Sequence, residues 1–159
     1  MDKQALYQQL VKQIEAFAGG NDHPVSILAN CAAAMKCMFP KEFFWVGFYI
    51  VSGDNLFLGP FQGTPACTRI KLGRGVCGTA WKEMRTLIVA DVHEFEGHIA
   101  CSSLSQSEIV VPIIHNGKMV GEIDIDSSDK NTFDDTDKLY LEQIATVLSS
   151  TLSSFERIV

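Results

Sequence analysis

SEIVVPIIHNGKMVGEIDIDS, Ser107 to Ser127, decides the fold. Asn116-Gly117 is the strongest short hairpin signal in the chain, because both residue types tolerate the positive φ of a two-residue turn. The flanks are rich in Val and Ile, which suit a pleated surface. They predict a strand over Ser107–Ile114 and a return strand over Lys118–Asp126. Pro112 cannot donate to a ladder, so it predicts an edge or a bulge. Side chains alternate between faces along a strand, which puts Glu122, Asp124 and Asp126 on one face and Ile123 and Ile125 on the other.

Upstream, Phe43 to Val51 reads as a buried strand that Gly53-Asp54-Asn55 turns into a second, Leu56 to Gly59. Thr68–Leu72 and Leu87–Val92 predict two more strands. Thr79–Met84 predicts a short helix, and Phe95–Gln106 a long loop. At the N-terminus Leu6, Leu10, Ile14 and Phe17 recur at helical spacing until Gly19-Gly20. Asn21 or Asp22 with Pro24 opens a second helix carrying Val25, Leu28, Ala32, Met35 and Phe39, and Pro40 stops it. A final helix runs from about Asp134 to Glu156, with Leu141, Ile144, Leu148, Leu152 and Phe155 on its apolar face. The expected fold is α+β: an antiparallel sheet with helices packed on one face, residues 1–159 forming a single domain.

The 159 residues carry a net charge of -6 with a pI near 5.1 and no visible basic patch, which argues against nucleic acid. The first residues begin a polar-faced helix, not a secretory signal, and no apolar run approaches a membrane span. A cytoplasmic, reducing setting is therefore expected. Five cysteines is an odd number, which speaks against a complete static disulfide framework.

Three of the five are expected on loops. Cys67 ends GPFQGTPAC, Cys77 sits in GRGVCG, and Cys101 closes HIAC. Thiols on loops in a reducing compartment point to redox chemistry or metal binding. Cys31 and Cys37, on the second helix, read as small core hydrophobes. GRGVCG fits the glycine pattern of dinucleotide loops, but the following helix is short and no acidic residue ends a second parallel strand. A zinc site from Cys67, Cys77, Cys101 and His98 lacks the closely paired ligands usual for structural zinc. In the redox alternative Cys101 is the nucleophile, His98 could favour its thiolate if charged, and Cys67 or Cys77 could form a disulfide with it.

Two further groups admit two explanations each. Glu122, Asp124 and Asp126, with Glu108 on the partner strand, are either a solvated sheet surface or a converging cluster. Convergence would raise at least one pKa by mutual repulsion and leave a protonated acid near neutrality. Trp45 and Tyr49 share one face of the first strand, as core packing or as an aromatic wall around a ligand.

Taken together, WVGFY (Trp45–Tyr49), GPFQGTPAC, GRGVCG, IVADV (Ile88–Val92), GHIAC (Gly97–Cys101), SEIVVPI (Ser107–Ile113) and DIDS (Asp124–Ser127) resemble the free methionine-(R)-sulfoxide reductase family, built on a GAF domain. The resemblance implies a sheet of about six mainly antiparallel strands flanked by N- and C-terminal helices, in a homodimer. It implies reduction of free methionine-(R)-sulfoxide with no bound cofactor or metal, and thioredoxin as external reductant. Cys101 matches the attacking cysteine, Cys67 the cysteine that bridges to it, and Cys77 an auxiliary or second resolving thiol. Trp45 and Tyr49 match the pocket wall, and Glu108, Asp124 and Asp126 the acids around the polar end. Ser102, Glu96 and Glu122 depart from the family pattern, the last adding an acid where an apolar residue is usual. The alternative is a GAF module that binds a small ligand or senses oxidants without turnover.

Overall fold

The computed structural model describes residues 1–99 and 101–157; Ala100, inside the expected Phe95–Gln106 loop, lies outside the described residues. In chain order the elements are α1 (Lys3–Ala18), α2 (Pro24–Met38), β1 (Trp45–Ser52), β2 (Asn55–Gln62), β3 (Arg69–Lys71), α3 (Gly75–Glu83), β4 (Leu87–Val89), β5 (Ser107–His115), β6 (Lys118–Ser127) and α4 (Asp135–Ser153). The strands form one six-stranded sheet in the order β3-β2-β1-β6-β5-β4, with every neighbouring pair antiparallel.

The predicted hairpin is the spine of that sheet. Asn116 and Gly117 both take positive φ, 53° and 76°, and β5 pairs with β6 from Ser107↔Ser127 to His115↔Lys118. Pro112 falls beyond the end of β4, whose pairing covers only Glu108 to Val110, and a register shift follows at Ile113/Ile114. The missing donor therefore sits where β5 is locally an edge.

One sheet face carries Val46, Phe48, Ile109, Val111, Ile123 and Ile125 into a core with α1, α2 and α4. Tyr7, Leu10 and Ile14 of α1 and Leu141, Ile144 and Leu148 of α4 are fully buried there. A polar stitch ties the two helices. Asp137, itself buried, takes a 2.7 Å ion pair from Lys3 Nζ and a 2.5 Å hydrogen bond from Tyr7 Oη. Asp134 caps α4 through the backbone N–H groups of Thr136 and Asp137.

Several expectations need correction. α2 is capped by His23, whose Nδ1 accepts from Val25 N, because Pro24 occupies the first helical position and the residue before it must stay extended. Val25 then faces outward, and so does Cys37; of the two α2 cysteines Cys31 alone is a core thiol, pushed up to about 12 by burial. α3 begins at Gly75, inside GRGVCG, so Cys77 lies on a helix and not on a loop. α3 also packs on the sheet face opposite the other helices, in a second core with Val76, Ala80, Leu56 and Ile70. Helices therefore cover both faces. β2 runs on to Gln62 because β1 pairs with it as far as Val46, and β4 stops at Val89. Among the described residues no helix is long and apolar enough to cross a membrane.

The Asp137 stitch makes a measurable demand on stability. Tyr7→Phe removes a buried hydrogen bond to a carboxylate and should cost about 1.5–3 kcal/mol. Urea unfolding at neutral pH reads the loss; an unchanged midpoint would count against the stitch.

Candidate active site

Register builds the site. Across the three central strands, Trp45 stands opposite Asp126, which stands opposite Glu108. The next row is Gly47, Asp124 and Val110, and the next Tyr49, Glu122 and Pro112. Directly opposed residues share a face, so two aromatics and four acids project to the side away from α1, α2 and α4. They are not a solvated surface. Glu108, Glu122 and Asp124 are buried, Glu122 completely.

Three segments roof this face. The first is α3. Its entry from β3 is so tight that a Cβ on Gly78 would lie 2.5 Å from the Lys71 carbonyl oxygen. That approach sets the Cys77 Sγ 4.0 Å from Glu108 Oε2. The second is the loop after β2. Gly63 sits at φ 139°, and a Cβ there would be 2.6 Å from the Trp45 ring. Trp45 Nε1 donates to the Thr64 carbonyl at 2.9 Å and Tyr49 Oη to the Cys67 carbonyl at 2.8 Å, so both aromatics hold the Cys67 loop down. The third is the loop after β4, which carries Cys101. Cys67 and Cys101, 34 residues apart in sequence, are joined by a disulfide with their Cα atoms 5.5 Å apart.

A single cavity edge gathers Trp45, Tyr49, Cys77, Cys101, Glu108, Asp124 and Asp126. Cys67 reaches it through the bridge, and Cys77 contributes a free thiol. The zinc set weighed from sequence does not form, because Cys67 and Cys101 bind each other. Arg74, Ile99 and Ser105 also line the cavity and were not singled out by sequence. A signal existed for Arg74, which stands in GRGVCG immediately before α3. Nothing in the pattern marked the other two.

The acids alter one another. Burial raises the pKa of Glu108 and Asp126 well above the carboxylate range, and neighbouring acids, Asp124 first among them, add to it. Asp124 is also raised by burial, an effect that hydrogen bonding from Glu108 offsets in part. Burial raises the Cys77 thiol too, with Asp124, Glu122 and Glu108 adding repulsion. Glu122 lies beside Cys77, yet neither of its oxygens meets a partner at hydrogen-bonding geometry, and its pKa is raised chiefly by burial. His98 borders the cavity but is pushed below 6.5 by partial burial and by His93, so it is no cation for Cys101 near neutrality. Of the departures noted above, Ser102 accepts from Leu104 N within its own turn and Glu96 faces outward. The site therefore combines a Cys67–Cys101 disulfide with a cluster of acids whose pKa values burial raises, against an aromatic wall.

A GAF domain family model matches residues 27–153. The chain is 40% identical over 154 residues to the free methionine-R-sulfoxide reductase of Escherichia coli (strain K12), covering 97% of this chain and 93% of that one. It is 52% identical over 149 residues to GAF domain-containing protein A of Dictyostelium discoideum, covering 93% of each. The crystal structure of free methionine-R-sulfoxide reductase from Neisseria meningitidis in complex with its substrate superposes with a TM-score of 0.92 at 47% identity, over 100% of this chain and 95% of that one. The chain belongs to the free methionine-R-sulfoxide reductase family of GAF domains. Its six-stranded antiparallel sheet, flanked in sequence by N- and C-terminal helices, is the GAF fold, as the resemblance implied.

Within this family fold Glu122 is costly. A carboxyl whose folded pKa is raised stabilises the fold fully below its unfolded value and loses that contribution as pH climbs toward the folded pKa. Glu122→Leu should therefore stabilise the protein at pH 8 by about 1–3 kcal/mol, the cost of a buried unpartnered polar group. The gain should shrink below the ordinary pKa of 4.5. Urea unfolding at the two pH extremes tests this; equal effects at both would refute it.

Proposed function

We propose that this protein reduces free methionine-(R)-sulfoxide to methionine. The carrying observation is the Cys67–Cys101 bridge beside a cavity lined by acids whose pKa values burial raises. Relatives bearing the reductase name over nearly the whole chain support the same reaction.

In the reduced protein the Cys101 thiolate attacks the sulfoxide sulfur. Oxygen passes from the sulfoxide to Cys101, which becomes a sulfenic acid as methionine leaves. The Cys67 thiol then displaces that oxygen as water and closes the disulfide. Two electrons from an external dithiol, thioredoxin in this proposal, reopen the bridge. The oxygen departs well only when hydrogen-bonded or protonated, which is the part given to Glu108, Asp124 and Asp126. Once one of them ionises, it draws the ammonium of a free amino acid, a group that a methionine sulfoxide inside a chain lacks. Trp45 and Tyr49 wall the methyl end. Arg74 at the rim offers a counter-charge to the carboxylate. Cys77, buried among acids, makes a poor nucleophile and serves as an auxiliary thiol.

The same proposal takes residues 1–159 as one domain, since α1, which precedes the family match, shares its core with α4. It also includes a homodimer, no bound cofactor or resident metal, and a cytoplasmic setting where a dithiol reductant keeps the cycle running.

Thioredoxin-coupled NADPH oxidation is the test. The free R epimer should support turnover, while the S epimer and peptide-bound sulfoxide should not. Cys101→Ser should abolish product. Cys67→Ser should release roughly one methionine per chain and stop, because the sulfenic acid has no partner to resolve it. Turnover should also fall as pH rises past the elevated pKa of the acid cluster, where the proton donor is lost. Equal rates on both epimers would overturn the proposal.

A further inference from the structure

Cys77 is a buried thiol that the sulfoxide chemistry does not consume. Its Sγ and one carboxylate oxygen each from Glu108 and Asp124 all lie within 4.8 Å of one another. The three come from α3, β5 and β6, elements packed together in and on the sheet, so the triangle is held by backbone on each side. All three side chains also line the cavity, which gives an entry path from solvent.

A second observation points the same way. Glu122 lies outside that triangle, one row further along β6, and is completely buried. It faces Cys77, and both of its oxygens are without a hydrogen-bond partner, as is one oxygen of Asp124. Buried carboxyl oxygens are normally satisfied by a donor or a cation. Here several acceptors and a thiol converge, and among the described residues the basic groups on the cavity are Arg74 and His98 at its lining.

We propose that Cys77, Glu108 and Asp124, with Glu122 as a fourth donor, bind one thiophilic divalent cation of the zinc type at the acid end of the cavity. A thiolate in the donor set selects zinc-like ions over magnesium or calcium, which take oxygen ligands alone. Zinc bonds of about 2.3 Å to sulfur and 2.0–2.2 Å to oxygen hold tetrahedral ligand atoms roughly 3.5 Å apart. The 4.0 Å between Cys77 Sγ and Glu108 Oε2 needs only a small contraction. The ion displaces to solvent the Cys77 thiol proton and the proton of each ligating carboxyl that carries one, and no electron changes hands. It is a reversible occupant of the pocket, not a cofactor. Resting on the reductase proposal, its consequence is inhibition competitive with the sulfoxide, because the same acids are asked to hold the substrate's polar end.

The test uses the full chain in its oxidised form, with Cys67 and Cys101 tied up in their bridge, and Co²⁺ as the probe. A near-ultraviolet thiolate-to-cobalt charge-transfer band should appear and saturate at about one ion per chain. Cys77→Ser should abolish the band, whereas Cys37→Ser, at the exposed thiol, should leave it intact. Glu122→Leu, expected to fold more stably than the parent, should weaken Co²⁺ affinity about 10–100-fold. No band, a band that survives Cys77→Ser, or one lost in Cys37→Ser overturns the site. Zn²⁺ inhibition of the reduced enzyme should be competitive with sulfoxide and reversed by chelator; non-competitive inhibition overturns the shared position. A cobalt band in a protein without reductase turnover would sink the reductase proposal and leave the metal site standing.

Discussion

The register between β1, β6 and β5 is the constraint on which the site depends. A one-residue slip of β6 would exchange Glu122, Asp124 and Asp126 for Ile123 and Ile125, turning the acids into the helix-side core. The slip is forbidden from the other side of the sheet. Val46, Phe48, Ile109, Val111, Ile123 and Ile125 are buried against α1, α2 and α4. Each such side chain stabilises the observed register by roughly 1.5–3 kcal/mol through burial. The tight turn at Asn116-Gly117 removes the remaining freedom between β5 and β6. Apolar packing on one face thus positions polar chemistry on the other.

That arrangement burdens the fold with buried acids, and their company decides their state. Four carboxyl groups and a thiol stand together under α3, where each ionised group makes the next harder to ionise. The consequence is that ionisation is disfavoured across the group, close to a sulfur centre. A lone acid on the same strand, open to water, would be ionised and could not donate. Burial and crowding therefore favour the proton-donating part that the proposed reaction gives these acids.

The aromatic pair shows why packing and function need not be alternatives. Trp45 stacks on Phe61 with ring centroids 5.2 Å apart and belongs to the second core. It also borders the cavity, and its indole N–H, like the Tyr49 hydroxyl, fastens the loop that carries Cys67. The opposite loop, with Cys101, is anchored by Val92 and Ser105, and among the described residues between them none is buried. One thiol is consequently held by the sheet, while the other sits on a segment whose displacement disturbs little of the core. Such asymmetry suits the opening and closing that the proposed cycle asks of the bridge.

Sequence alone determined the hairpin, the strand alternation that separates acids from isoleucines, the terminal helices, and the residue types needed at the site. Those features follow from local rules: turn chemistry, two- and 3.6-residue periods, and motifs read in order. The helical start of GRGVCG escaped, because glycines there signal a loop until packing against Lys71 is seen. Cys37 escaped as well, since helical spacing does not say which stripe faces the core. The residues left both Cys67 and Cys77 open as partners of Cys101 and the resemblance implied Cys67; the tertiary structure alone shows that bridge, the seat of Cys77 beside Glu108, Glu122 and Asp124, and the burial of those three acids. Each of these depends on contacts between distant segments, and burial sets both the protonation of an acid and the reach of a thiol.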